Sequence, residues 1–73
     1  MSPAFPVVSG QETVAALSKV GFVLVGQRGS HVKIRDQGGR TVIVPLHRVL
    51  ARGTLSAILL QSGLAVSEFI DYL

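Results

Sequence analysis

From His31 to Arg35 polar and apolar residues alternate strictly, as His-Val-Lys-Ile-Arg. A period of two belongs to a strand with one face in the core, so Val32 and Ile34 are predicted to point inward while His31, Lys33 and Arg35 share the opposite face. Upstream, the run FVLVGQ (22–27) is a strand by its β-branched and aliphatic content, and Arg28-Gly29 supplies the turn that joins the two. Downstream, Asp36-Gln37-Gly38-Gly39 has turn chemistry, and RTVIV (40–44) reads as a third strand stopped by Pro45. The pattern predicts a three-stranded meander.

On either side of the strands the apolar spacing lengthens. Ser9-x-x-Glu12 has the spacing of a capping box, and a helix is predicted over 11–20 with Val14, Leu17 and Val20 on one side. Gly21 follows where a left-handed cap is needed. After a loop over 46–52, Gly53-Thr54 introduces a second helix, with Thr54 as N-cap, Leu55, Ile58 and Leu59 as its apolar stripe and Gly63 at its end. Residues 67–73 predict one or two further helical turns anchored by Phe69, Ile70 and Leu73. Pro3-Ala4-Phe5-Pro6 cannot start a helix or enter a central strand, so residues 1–7 read as an arm and 8–73 as a single domain. The fold class is therefore α+β, ordered α-β-β-β-α, with helices on one face of a three-stranded antiparallel sheet.

With 73 residues there is room for one small core only. The hydrophobic set alone reaches 48%, with eight glycines besides, above the roughly 45–50% that both together usually make up. The surplus suggests a face meant for a partner. Apolar runs such as 42–46 fall far short of the ~20 residues of a membrane span. The amino end lacks a basic segment followed by an apolar one, so a cytoplasmic address is expected. There is no cysteine, which removes disulfides and thiolate chemistry. All seven cations lie between Lys19 and Arg52 with Asp36 as the one acid among them, and such a basic centre attracts polyanions, nucleic acid above all.

Cutting RNA with its own 2′-hydroxyl requires a base near that hydroxyl, charge stabilisation at the phosphorane and a proton for the departing 5′-oxygen. Histidine suits the first or the last role, because both of its protonation states are populated near neutrality. His31 is the candidate. Lys33 and Arg35 on the same strand face, with Arg28 across the turn, are placed to hold a phosphate, while Gly29 and Ser30 form the turn and let backbone approach closely. No metal or cofactor is required by this set. His47 is a second candidate acid in a loop, Arg48 and Arg52 can grip RNA, and the amides at 53–55 open a helix toward a phosphate. Each feature also has a plainer reading: a solvated histidine, ordinary turn chemistry, a cationic surface that keeps the protein in solution, a helix cap. GxxxxGK, HExxH and Ser-His-Asp signatures are absent. Asp36 falls on the other face from His31 if the alternation extends that far, so no carboxylate–histidine pair is expected.

Taken in order, Val8-Ser9-Gly10, Gly21-Phe22, Gln27-Arg28-Gly29-Ser30-His31, Val44-Pro45-Leu46-His47, Gly53-Thr54-Leu55 with Ile58-Leu59, Ser62-Gly63 and Glu68-Phe69 form a set. The set resembles the HicA family of small bacterial toxins, mRNA-cleaving members of type II toxin–antitoxin pairs. The resemblance implies a double-stranded-RNA-binding-like fold and metal-independent endoribonuclease activity on mRNA. It also implies His31 as the catalytic residue, Gly29 and Ser30 as the turn presenting it, and neutralisation by a HicB-type antitoxin. Many relatives carry a second histidine or a polar residue directly after the catalytic one, whereas this chain has Val32. Nothing in the sequence requires a homo-oligomer. The alternative is a non-catalytic RNA-binding module of the same fold that clasps duplex RNA by shape. Such modules usually place a lysine cluster at the start of the last helix, which Gly53-Thr54-Leu55-Ser56-Ala57 lacks. A third class is an interaction domain whose apolar surplus serves only to hold a partner.

Overall fold

The computed structural model describes residues 4–73. In chain order the elements are α1 (Gly10–Ser18), β1 (Val23–Arg28), β2 (His31–Arg35), β3 (Thr41–Pro45), α2 (Arg52–Ser62) and α3 (Val66–Asp71). The strands form one antiparallel sheet in the order β1-β2-β3, and the helices cover one of its faces. This is the α-β-β-β-α arrangement expected from the pattern.

α1 begins where the capping box predicts: Ser9 Oγ accepts from the Glu12 N–H at 3.0 Å and Glu12 Oε1 accepts from the Ser9 N–H at 2.8 Å. Its inward residues are Thr13, Ala16 and Leu17, while Val14 and Val20 are half-buried flanks. Thr13 can be buried because its hydroxyl donates to the Ser9 carbonyl at 2.9 Å. At the other end Gly21 adopts φ 102°, the Phe22 N–H reaches the Leu17 carbonyl at 3.1 Å, and Leu17 and Phe22 are both buried. That closure turns the chain directly into β1.

β2 follows the predicted alternation. Val32 and Ile34 are buried, and Val44 and Val42 stand opposite them on β3. These four side chains cover the inner face and join Leu17, Leu55 and the wholly buried Phe69 in one core. Val32 is thus a core residue.

Three expectations are corrected in detail. α2 starts at Arg52 with Ala51 as a cap that makes no side-chain hydrogen bond, so Thr54 lies inside the helix instead of capping it. The reason lies just upstream, where buried Leu50 donates its N–H to the Val8 carbonyl at 2.8 Å and fixes the chain immediately before the helix. β3 runs through Pro45, which a strand end at the sheet edge tolerates because no ladder donor is required there. In α3 Phe69 is the anchor, Ile70 is half-buried, and Leu73 is exposed.

Of the arm expected over residues 1–7, the first three lie outside the described residues. Phe5 packs against the core, with the Arg52 guanidinium 4.7 Å from its ring centroid. Among the described residues no helix is long and apolar enough to cross a membrane.

β1 stands apart from the rest. The helices pack mainly against β3, and Val23, Leu24 and Val25 are 61%, 60% and 45% exposed. Its pairing with β2 slips between Leu24 and Gly26, leaving Val25 as a bulge residue.

Candidate functional site

The hairpin between β1 and β2 has a two-residue loop, Gly29-Ser30, flanked by the paired residues Arg28 and His31. Gly29 has φ 57° and no non-glycine residue among those described has a positive φ, so the positive value falls on the first loop residue alone. That is the backbone of a II′-type turn, which matches the right-handed twist of the strands it joins. Two contacts brace the loop. Gln27 Nε2 donates to the Gly29 carbonyl at 3.0 Å, and the Leu46 N–H donates to the Ser30 carbonyl at 2.7 Å. Leu46 belongs to the segment after β3, and the next residue accepts the Gly10 N–H on its carbonyl at 2.9 Å. The hairpin tip is thereby tied through 46–47 to the start of α1.

Alternation then places His31 on the open face of the sheet, where it is exposed. A shallow depression of about 520 Å³ is lined by Gly26, Gln27, Arg28, His31, Lys33 and Ile43. Arg28 and His31 face one another across the β1–β2 ladder, and Lys33 stands two residues along from His31, about 7 Å at the rise of a strand. The bulge at Val25 brings glycine 26 opposite Lys33, and a side-chain carbon at that position would meet nothing within 4 Å, so the floor there is open backbone. Among the described residues none of Arg28, Lys33 and Arg35 is engaged in an ion pair. The site therefore joins an accessible imidazole to two uncompensated cations beside an exposed apolar side chain, Ile43.

Arg35 shares the face but not the depression. It lies four residues from His31, about 13 Å along the strand, and its Nε donates to Thr41 Oγ1 at 2.9 Å. It lines a second hollow with Val23, Val25 and Asp36. Asp36 serves the β2–β3 turn: its carboxylate accepts the Arg40 N–H at 2.8 Å and pairs with the Arg40 guanidinium at 3.7 Å. His47 and Arg48 are exposed in the loop after β3, and neither His47 nor the start of α2 lines the His31 depression. Gln27, Gly26 and Ile43 belong to the site without having been singled out for it by residue chemistry. For Gly26 a signal exists, since an isolated glycine within a strand pattern marks a bulge or a close approach. Among the described residues no group of three or more His, Cys, Asp or Glu side chains is placed to hold a metal ion.

Fold and site together define a small α+β domain that presents a histidine and cations on the uncovered face of an antiparallel sheet. The family model described as HicA toxin of bacterial toxin-antitoxin matches residues 10–64, well over half of the chain. The chain belongs to this family of toxins. No curated protein matches it in sequence.

Proposed function

We propose that the protein is the toxin of a type II toxin–antitoxin pair and acts as an endoribonuclease on mRNA, with His31 as its general base or general acid. The observation that carries this reading is the exposed imidazole of His31 in one depression with Arg28 and Lys33, on a hairpin braced from both sides. The 2′-hydroxyl of the substrate loses its proton, its oxygen bonds to the adjacent phosphorus, the bond from phosphorus to the 5′-oxygen breaks, and that oxygen takes up a proton. His31 receives the first proton or delivers the last. Arg28 and Lys33 hold the phosphate and balance the charge that builds on it, with the backbone at Gly29 and Ser30 allowing close approach. Arg35 meets a further phosphate of the same strand. The cations supply the electrostatic stabilisation, so the reaction needs no metal. A HicB-type antitoxin is the neutralising partner, residues 8–73 are the active domain, and the cytoplasm, where mRNA is found, is the site of action.

End-group analysis of RNA cut by the purified protein in the presence of a chelator tests the reading. Internal attack leaves a 2′,3′-cyclic phosphate beside a free 5′-hydroxyl, and both are expected. Products with a 5′-phosphate, or loss of cleavage on chelation, would overturn the mechanism. Tight binding of duplex RNA with no strand scission would make the protein a shape-reading module instead.

A further inference from the structure

The sheet has two edges of different character. β3 is covered on its inner face: Val42, Val44 and Pro45 are buried, and both α1 and α2 pack on it. β1 pairs with β2 on one side, and on the other it offers an open row of backbone N–H and C=O groups. Its side chains are uncovered on both faces, since Leu24 pairs with Ile34 toward the helices yet is 60% exposed, while Val23 pairs with Arg35 toward the open face and is 61% exposed. Proteins normally blunt such an edge with lysine, proline or a covering element. Over Val23, Leu24, Val25, Gly26 and Gln27 there is neither a charge nor a proline, and the bulge at Val25 is the one blunting device.

We propose that the free edge of β1 receives an extended acidic segment of the neutralising protein, added to the sheet as a fourth strand. Main-chain pairing supplies the affinity of such an addition, and alternate side chains supply its specificity. Toward the open face the incoming strand lies beside Arg28, with Lys33 and Arg35 one strand further in on β2, and none of the three has an ion-pair partner among the described residues. Acidic side chains are therefore wanted on that side. Toward the helices it meets the exposed Leu24, so apolar side chains are wanted on the other. A second copy of this chain fits poorly, because each copy carries a net charge of +3 and edge pairing would align two basic faces into one. Acidic side chains beside Arg28 also compete with the RNA phosphate, so docking and inhibition become one event. The inference rests on the toxin–antitoxin reading for the identity of the partner, but not for the chemistry of the edge.

The probe is an acetylated decapeptide of alternating Glu and Val, with two derivatives N-methylated on every Glu or on every Val. Successive N–H groups of a strand point to opposite edges, so each derivative blocks one edge only. The parent peptide is expected to bind and to slow RNA cleavage. One derivative is expected to retain binding and the other to lose it at least tenfold, and Leu24→Glu, at an exposed position, is expected to weaken the parent at least tenfold. Equal binding by both derivatives, binding by none of the peptides, or full-strength binding to Leu24→Glu would overturn the proposal. So would a concentration-dependent dimer abolished by Leu24→Glu, which would assign the edge to a second copy. Absence of cleavage by the unbound protein would refute the ribonuclease reading and leave peptide binding to decide the edge.

Discussion

A side-chain carbon at Gly10 would collide with the Pro45 carbonyl oxygen and lie 2.8 Å from the Cα of Leu46. Both neighbours are backbone and cannot swing aside, so Gly10→Ala must push α1 away from the segment that follows β3. Overpacking of this kind costs about 1–3 kcal/mol. The same displacement breaks the bond from the Gly10 N–H to the His47 carbonyl, now 2.9 Å, and a buried donor left unpaired costs a further ~1–3 kcal/mol. The higher helix propensity of alanine returns at most ~1 kcal/mol. Together these terms give a loss of about 1–6 kcal/mol, against a total of roughly 0.05–0.15 kcal/mol per residue for a native domain. Urea denaturation followed by circular dichroism measures it, with Gly53→Ala as the control. At Gly53 an added carbon meets nothing within 4 Å, so that variant should be neutral or gain up to ~1 kcal/mol. The consequence reaches the site, because the Leu46 N–H that holds the Ser30 carbonyl sits in the displaced segment. A Gly10→Ala protein within about 0.5 kcal/mol of wild type would refute the claim that this junction is close-packed.

Phe69 is wholly buried although the family match ends at residue 64, and Phe69→Ala should cost about 3–5 kcal/mol in the same assay. A small loss would mean that α3 is an appendage. Gly29→Ala meets no steric neighbour but must hold φ near 57°, so it should cost roughly 1–2 kcal/mol and lower the rate of RNA cleavage by loosening the hairpin; an unchanged melting curve would contradict the turn geometry. Arg28→Ala should weaken RNA binding across sequences and reduce the slope of log affinity against log salt by about 0.7, the value for one single-strand phosphate contact. An unchanged slope in a salt titration would remove Arg28 from the phosphate site.

Much of this architecture can be read from local chemistry. The Ser9–Glu12 box, the glycines after α1 and α2, and the alternation through β2 each specify a backbone state within a few residues, and each appears where expected. The alternation also placed His31 and Lys33 on the open face. Features that depend on distant contacts were not legible. The start of α2 is fixed by Leu50 bonding to Val8, whereas local chemistry alone points to Thr54 as the cap. The register slip at Val25, and with it the position of Gly26 opposite Lys33, depends on how β1 meets β2. FVLV has the composition of a strand, but the sequence does not say that its Val-Leu-Val portion stays uncovered, because an apolar run looks the same whether it is buried or awaits a partner. The separation of Arg35 from the His31 depression follows from strand rise once β2 is accepted, and the bond to Thr41 that engages it depends on the β2–β3 register.

In the proposed reaction one exposed imidazole performs the proton transfer. His31 is exposed, so His31→Ala should keep the wild-type unfolding midpoint, within the ±0.5 kcal/mol typical of surface substitutions. Cleavage of a labelled RNA by that variant, measured beside wild type in the absence of antitoxin, should fall by at least ~10²-fold, the usual share of a general acid or base. Cleavage at the wild-type rate by a folded His31→Ala protein would rule out His31 as the catalytic group.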